Sequence, residues 1–123
     1  MILVDTSVWV DHLRAGDSEL AAALDGAQVL MHPFVVGELA LGLLANRADV
    51  LRLLQALPAA AVATDAEALA FIDGHRLTGR GIGYVDVHLL AATALEGTAT
   101  LWTRDARLAA VAADLTLGAR GHR

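Results

Sequence analysis

Three acidic residues stand where a predicted sheet would bring side chains together at one edge. Asp5 directly follows the apolar run Ile2-Leu3-Val4. Asp105 comes shortly after the run 99–102, and Asp86 opens a helical pattern behind a glycine-rich stretch. Because an open parallel sheet binds its ligands outside the carboxyl ends of the strands, we expect Asp5, Asp86 and Asp105 to lie close together.

A fourth acid, Glu38, lies inside a helical pattern, in the second turn after a predicted strand end. It shares a helix face with Phe34, Leu41 and Ala45, so a lone carboxylate there would be costly unless it were paired or bound a cation. Four carboxylates at one edge would repel one another and raise their own pKa values unless a multivalent cation lay among them. Oxygen ligands without His or Cys suit Mg²⁺ or Mn²⁺.

Each of these acids also has a purely structural interpretation. Asp5, Asp86 and Asp105 can cap the helices that follow them, and Glu38 can form a buried pair with an Arg. His88 falls on an apolar helix face, which favours a satisfied or interface histidine over a metal ligand. Taken one at a time, the residues leave both interpretations open.

The composition limits the classes of protein to which this chain can belong. At 123 residues it is long enough to bury a core, and we expect one domain over residues 1–123. The apolar share of 56% exceeds the usual ~45–50%, which excludes a disordered chain and indicates a face buried by a partner. The absence of cysteine excludes disulfides and thiolate metal sites.

The N-terminus and the charge balance bear on location and on ligands. The start, Met1-Ile2-Leu3-Val4-Asp5, lacks the basic region of a signal peptide, and the apolar stretches are too short or too interrupted to span a membrane. We therefore predict a cytoplasmic protein without a membrane partner. The net charge is −5 and all nine basic residues are Arg, a balance that does not by itself indicate nucleic-acid binding.

Short apolar runs alternate with longer helical patterns along the chain. None of the runs shows the polar alternation of a half-exposed strand, so they suit a parallel sheet covered on both faces. The pattern predicts an α/β sandwich with right-handed crossovers. The five predicted strands are Ile2-Leu3-Val4, Val29-Leu30-Met31, Ala59–Ala63, Ala99–Trp102 and Leu115–Leu117.

Local start and stop signals delimit four of the predicted helices. They place the helices between Asp17-Ser18 and Gly26, from Pro33 over 34–46, from Thr64 with its partner Glu67 to about Thr78, and around Val87–Leu95 before Gly97.

Four motifs, in order, resemble those of PIN domains, and especially the VapC-type toxins of bacterial toxin–antitoxin pairs. They are Met1-Ile2-Leu3-Val4-Asp5-Thr6-Ser7-Val8-Trp9, Glu38-Leu39-Ala40-Leu41-Gly42, Gly81-Ile82-Gly83-Tyr84-Val85-Asp86 with His88-Leu89-Leu90-Ala91-Ala92, and Leu101-Trp102-Thr103-Arg104-Asp105. Each motif alone is weak, but four at family-like spacing are specific. The likeness runs from Met1 to about Leu117, nearly the whole chain.

The resemblance implies a PIN-like three-layer sandwich, in which a parallel sheet of about five strands is flanked by helices. It also implies an endoribonuclease that depends on Mg²⁺ or Mn²⁺. Asp5 and Asp86 would be the principal metal ligands, and Glu38 and Asp105 would complete the acidic pocket.

Two threonines and two arginines next to these acids also acquire implied roles. Thr6 and Thr103 would orient a carboxylate or a metal-bound water. Arg104 and Arg107 flank Asp105 and are predicted to hold RNA phosphates, since a bound cation offsets the negative local field. The sequence departs from the family at Leu108, where many relatives carry Phe; we expect that change to affect packing and not chemistry.

The residues also bear on two competing functions and on the partners of this chain. Sites that phosphorylate an aspartate share this topology but rely on a Lys, which this chain lacks. The alternative is a catalytically silent PIN module that binds RNA or serves as an interaction partner. The apolar excess predicts a homodimer, and the resemblance implies a cognate antitoxin that places an Arg or Lys among the carboxylates.

Overall fold

A parallel sheet of three strands lies at the centre of the computed structural model, which describes residues 1–119. The strands are β1 (Ile2–Val4), β2 (Val29–Leu30) and β3 (Thr100–Trp102), in the order β2-β1-β3. Ile2 pairs with Val29 on one side and with Thr100 on the other. Because most of these strand residues are buried, the consecutive apolar runs have the form that a doubly covered parallel sheet requires.

In the described chain the two outer segments that we predicted as strands are reduced to single parallel bridges, and the second bridge lies at Gly118, one residue beyond the predicted Leu115–Leu117. Met31 is bridged to Ala59, and Leu101 is bridged to Gly118. Pro58 has no N–H to donate and alanine has low strand propensity, which shortens the first of these edges. At the other edge Thr116 has a φ of 58°, and this left-handed residue interrupts the extended run before it pairs. The parallel α/β architecture is thus confirmed, with fewer strands than the predicted five.

Seven helices cover the sheet in the part of the chain that the structure describes. They are α1 (Thr6–Ala15), α2 (Ser18–Asp25), α3 (Pro33–Ala40), α4 (Arg47–Gln55), α5 (Asp65–Gly74), α6 (Tyr84–Glu96) and α7 (Ala106–Asp114). Several predicted boundaries are confirmed. Asp17 caps α2 and Gly26 ends it, Pro33 is the first residue of α3, Thr64 and Glu67 form a capping box on α5, and Gly97 ends α6.

Two predicted helices are shorter than their patterns indicated. The pattern over 34–46 breaks at Ala40, and a separate helix that we did not predict, α4, begins at Arg47. Asn46 has a φ of 52°, and a left-handed residue at that point prevents one continuous helix. Likewise α5 ends at Gly74 and not near Thr78, because Arg76, with a φ of 55°, stops it before Gly79.

Helix α6 passes through the core, since all seven residues from Val87 to Thr93 are buried. A helix that is apolar on every side is typical of such an internal position. Leu108, the position that departs from the family, is completely buried in the same hydrophobic core. No helix within residues 1–119 is long and apolar enough to cross a membrane. The last four residues of the predicted domain lie outside the described residues.

Candidate active site

Asp5 lies at the carboxyl end of β1, where it is buried and held from three sides. It is the N-cap of α1, and its Oδ1 accepts a hydrogen bond of 2.8 Å from the Thr6 backbone N–H. Its Oδ2 accepts two more, from Ser7 Oγ at 2.8 Å and from Thr103 Oγ1 at 2.7 Å. Only 7% of the residue is exposed. Asp5 therefore has a defined orientation before any ligand binds.

The two hydroxyls that hold Asp5 also connect the ends of β1 and β3. Ser7 Oγ accepts the Arg104 backbone N–H at 3.0 Å, and Thr103 Oγ1 accepts the Asp105 backbone N–H at 3.0 Å. Thr103 was singled out from the sequence, and here it contacts a carboxylate of the site. Ser7 was not singled out, although a hydroxyl two residues after a strand-end aspartate is a signal that could have identified it.

Glu38 reaches the same region from α3. Its Oε1 accepts a hydrogen bond of 2.7 Å from Thr6 Oγ1. The apolar pattern predicted a core-type helix face for Glu38, and that prediction is wrong. Glu38 is exposed, Leu41 beyond the helix end is 90% exposed, and the buried residues of α3 are Val35 and Leu39. Because the helix ends at Ala40, the longer apolar face never forms.

Asp86 is in the first turn of α6, and its Oδ2 accepts the Gly83 backbone N–H at 3.0 Å. Burial raises the pKa of its carboxyl, and the negative charges of Asp5, Asp105 and Glu38 raise it further, against the lowering effect of the Gly83 N–H. The charges of the other three acids therefore reach Asp86.

Asp105 caps α7, and its Oδ1 accepts the backbone N–H groups of Arg107 and Leu108, both at 3.0 Å. Asp5 and Asp86 also bond to backbone N–H groups at the starts of their helices. The capping interpretation therefore holds for these three acids, and it is compatible with a shared site. In the described residues each cap uses one carboxylate oxygen, Oδ1 of Asp5 and Asp105 and Oδ2 of Asp86.

No basic side chain neutralises the four acids in the described part of the chain. The Arg ion pairs found there join Arg14 and Arg104 to Asp11, Arg104 to Asp17, Arg52 to Asp49 and Arg80 to Asp114. The alternative of a pair between Glu38 and an Arg is thus contradicted within residues 1–119. Carboxylates gathered without a counter-charge are a donor set that suits a hard divalent cation.

Hydrogen bonds within the protein set the positions of the carboxylate oxygens of the four acids. Among the described residues no three His, Cys, Asp or Glu side chains form a group that could hold a metal ion as placed. Helix N-termini and hydroxyls hold the oxygens of Asp5, Asp86 and Asp105, while Thr6 holds Glu38. The chemistry and charge of the acids fit a cation, and side-chain rotation would be needed to converge on it.

The two arginines that flank Asp105 have different surroundings. The Arg104 guanidinium forms ion pairs with Asp11 and Asp17. The Arg107 side chain lies over Gly81, where an added Cβ would be 3.0 Å from its Cδ and Nη1. Gly81 has a φ of 80°, a left-handed backbone that favours glycine, and the Arg107 guanidinium approaches it closely. Within residues 1–119 Arg107 forms no ion pair with a carboxylate.

A buried histidine that no sequence pattern indicated as functional stands at the start of α3. His32 is completely buried and caps α3, because its Nδ1 accepts the Phe34 backbone N–H at 3.0 Å. Burial and the neighbouring charge of His88 lower the pKa of His32 to about 4. His32 Nε2 and both ring nitrogens of His88 have no hydrogen-bond partner in the described structure, although His88 Nε2 lies 3.4 Å from Asp65 Oδ1. His88 is therefore buried, as expected, but without the hydrogen bonds of a satisfied histidine.

Comparisons with known proteins agree with the fold and with the order of the motifs. Residues 2–114 match the family model described as PIN domain. Two relatives, both named Ribonuclease VapC32 and from Mycobacterium tuberculosis strains CDC 1551 / Oshkosh and ATCC 25618 / H37Rv, are each 50% identical to this chain over 114 residues. The match covers 93% of this chain and 92% of each relative. The resemblance predicted from the motifs is confirmed, and the chain belongs to the PIN domain family, among its VapC-type members.

Proposed function

We propose that this protein is the toxic component of a toxin–antitoxin system and that it hydrolyses RNA phosphodiester bonds with a divalent cation, Mg²⁺ or Mn²⁺. The observation that carries the proposal is a group of four acids, Asp5, Glu38, Asp86 and Asp105, that form no ion pair with an Arg among the described residues. The charges of the other three acids also help to raise the pKa of Asp86. Such self-repulsion is costly unless the site serves to bind a cation. Both relatives are named as ribonucleases, which supports the same reaction.

In this proposal Asp5 and Asp86 are the principal ligands of the cation, and Glu38 and Asp105 complete the site. When bound, a divalent cation supplies the Lewis acidity that activates the attacking water and neutralises charge on the scissile phosphate. Thr103 fixes the orientation of Asp5 through the hydrogen bond to Oδ2. These contacts orient Asp5 before binding, whereas the other acids would rotate to reach the cation.

The hydroxyl of Thr6 and the guanidinium of Arg107 have supporting roles. Thr6 fixes Glu38 through the bond to Oε1. Arg107 is the better candidate to hold a backbone phosphate, because its guanidinium forms no described ion pair and it lies in the first turn of the helix that Asp105 caps. The predicted phosphate contact of Arg104 is less favoured, since its guanidinium already binds two acids.

Metal dependence provides the direct test of this function. The chain should cleave a structured RNA in Mn²⁺ or Mg²⁺, lose that activity in EDTA, and regain it when the cation is added back. Asp5→Asn, prepared in parallel, should be inactive under all three conditions. Equal cleavage by wild type and Asp5→Asn would show that the proposed site is wrong. Binding of RNA without cleavage by either protein would favour the catalytically silent module.

The antitoxin is proposed to occupy an apolar groove beside Glu38. The groove lies between α1, α3 and α4, and its lining includes Val10, Leu39, Leu43 and Glu38. Leu43 is fully exposed and Val10 is 47% exposed, so a contiguous apolar surface faces solvent next to an acid of the site. An apolar segment of the antitoxin would fill this groove, and an adjacent Arg or Lys would reach the carboxylates.

The predicted homodimer is proposed to form through a separate face, between α5 and α6. This face is lined by Phe71, Ala91, Ala94 and Leu95, and half of Leu95 is exposed. We expect wild type to be dimeric and Leu95→Arg to be monomeric in light scattering at micromolar concentration, because an unpaired charge in an apolar contact is costly. A monomeric wild-type chain would contradict the dimer.

The chain is further proposed to be one domain that acts in the cytoplasm.

A further inference from the structure

Arg104 connects three elements that are distant in the sequence. It lies in the loop between β3 and α7, and its guanidinium binds Asp11 on α1 and Asp17, the N-cap of α2. Its side chain is only 29% exposed, and the two acids raise its pKa above the ordinary value. A planar guanidinium that spans two carboxylates is held more rigidly than a single surface pair.

The main chain around Arg104 carries hydrogen bonds that orient the site. Its own backbone N–H binds Ser7 Oγ. The residue before it, Thr103, donates to Asp5, and the residue after it, Asp105, donates its backbone N–H to Thr103 Oγ1. A displacement of the loop at Arg104 would therefore disturb the supports of Asp5 and Asp105 together.

Asp17 is built into this arrangement with both of its oxygens. Its Oδ1 accepts the Leu20 backbone N–H at 2.9 Å, while its Oδ2 binds Arg104. Its own backbone N–H donates to His12 Nδ1 at 3.0 Å. The acceptor for Arg104 is thus anchored to the start of α2.

We infer that Arg104, clamped by Asp11 and Asp17, is a positioning residue that holds Thr103 and Asp105 in place for cation binding and does not contact RNA. The inference rests on the proposed function for its catalytic consequence. The claim that Arg104 holds the loop in place concerns the metal-free protein alone and does not depend on that function. The physical basis is that partners which orient metal ligands typically change metal affinity or activity by ~10- to 100-fold when they are removed.

Amide hydrogen exchange in the metal-free chain tests the structural part. Arg104→Gln, and the pair Asp11→Asn with Asp17→Asn, should each accelerate exchange at the backbone amides of residues 104 and 105 by about tenfold or more, since opening of the loop exposes these groups. Asn at position 17 keeps an acceptor for the α2 cap. Arg52→Gln, which alters an exposed pair with Asp49 on α4, is the control and should leave this exchange unchanged.

Manganese titration and salt dependence then separate positioning from RNA contact. Arg104→Gln should raise the Mn²⁺ concentration that gives half-maximal RNA cleavage about tenfold or more. The Mn²⁺ concentration that gives half-maximal thermal stabilisation should rise equally, while KM for RNA stays unchanged. Adding Arg104→Gln to the Asp11→Asn/Asp17→Asn background should change little more, because residues of one network are not additive. Arg104→Lys should recover part of the Mn²⁺ affinity.

The opposite results would overturn the inference. If Arg104 contacts RNA, its substitution would raise KM for RNA and reduce by about one the slope of log affinity for RNA against log salt concentration. The same changes would appear in the Asp11→Asn/Asp17→Asn background. Unchanged amide exchange in both variants would equally refute the clamp. If the wild-type chain cleaves no RNA, the proposed function fails, while exchange and Mn²⁺-induced stabilisation still decide the role of Arg104.

Discussion

Asp86→Asn should abolish RNA cleavage while leaving the metal-free protein at least as stable as wild type. We expect activity to fall by at least about a hundredfold, because loss of a direct ligand should exceed the ~10- to 100-fold effect of groups that only orient ligands. Stability should not fall, because the substitution removes a charge that burial and three neighbouring acids already disfavour. The Asn oxygen can still accept the Gly83 N–H.

Asp86 separates catalysis from folding better than Asp5 does. Asp5 is 7% exposed and accepts two hydroxyls, so Asp5→Asn also disturbs a buried network. Asp73→Asn, at an exposed acid of α5, is a matched control that should leave activity unchanged.

Thermal unfolding with and without Mn²⁺ completes the Asp86 test. A ligand that binds only the native state stabilises it by about 2.7 kcal/mol at a hundred times its Kd. Wild type should gain this stabilisation, and Asp86→Asn should lose most of it. An Asp86→Asn protein that still cleaves RNA, or that responds to Mn²⁺ as wild type does, would contradict the assignment of Asp86 as a principal ligand.

Acidification should destabilise the fold through His32, well above the pH at which carboxylates usually control unfolding. The pKa of His32 is about 4 in the native state and 6.5 in the reference state. Between these values the unfolded chain binds a proton that the native chain does not, so stability is fully present above pH 6.5 and is lost as pH falls toward 4. The difference corresponds to about 3 kcal/mol.

The contacts of His32 explain why protonation is unfavourable in the native state. Its Nδ1 accepts the Phe34 N–H, so a proton on Nδ1 would break the cap of α3. Its Nε2 is buried without a described partner, and His88 lies nearby with a ring-centroid separation of 6.5 Å. A charged imidazolium would therefore be desolvated, repelled and deprived of its hydrogen bond.

Denaturant unfolding between pH 7 and 4 measures this effect. His32→Asn should lose about 3 kcal/mol less stability than wild type across that range, because Asn can cap α3 without titrating. Its absolute stability at pH 7 will be lower because it fills less volume. His75→Asn, at an exposed histidine, should keep the wild-type pH profile. Asp17 and Glu67, whose pKa values are lowered, contribute stability that is lost at lower pH still. An unchanged profile in His32→Asn would contradict the prediction.

Features that depend on neighbours a few residues apart could be predicted from the sequence. The apolar run before Asp5, the capping box of Thr64 and Glu67, and the stop at Gly97 are local, and the structure has each of them. The physical reason is that caps and strand ends are decided by hydrogen bonds and backbone preferences within about one turn. The carboxyl ends of parallel strands then bring Asp5 and Asp105 to one edge.

Only the tertiary structure decided which side chains face one another across that edge. Thr6 binds Glu38 across 32 positions, and Arg104 binds Asp11 across 93. No periodicity encodes such pairs, because they depend on how helices dock after the sheet has formed. The end of α3 at Ala40 left Glu38 exposed where its helical pattern predicted burial, and packing of the elements buried His32. The sequence alone identified the four candidate acids and the family of the chain. Packing between distant segments determined the charges that act on Asp86, the hydroxyl groups that hold Asp5 and Glu38, and the ion pairs of Arg104.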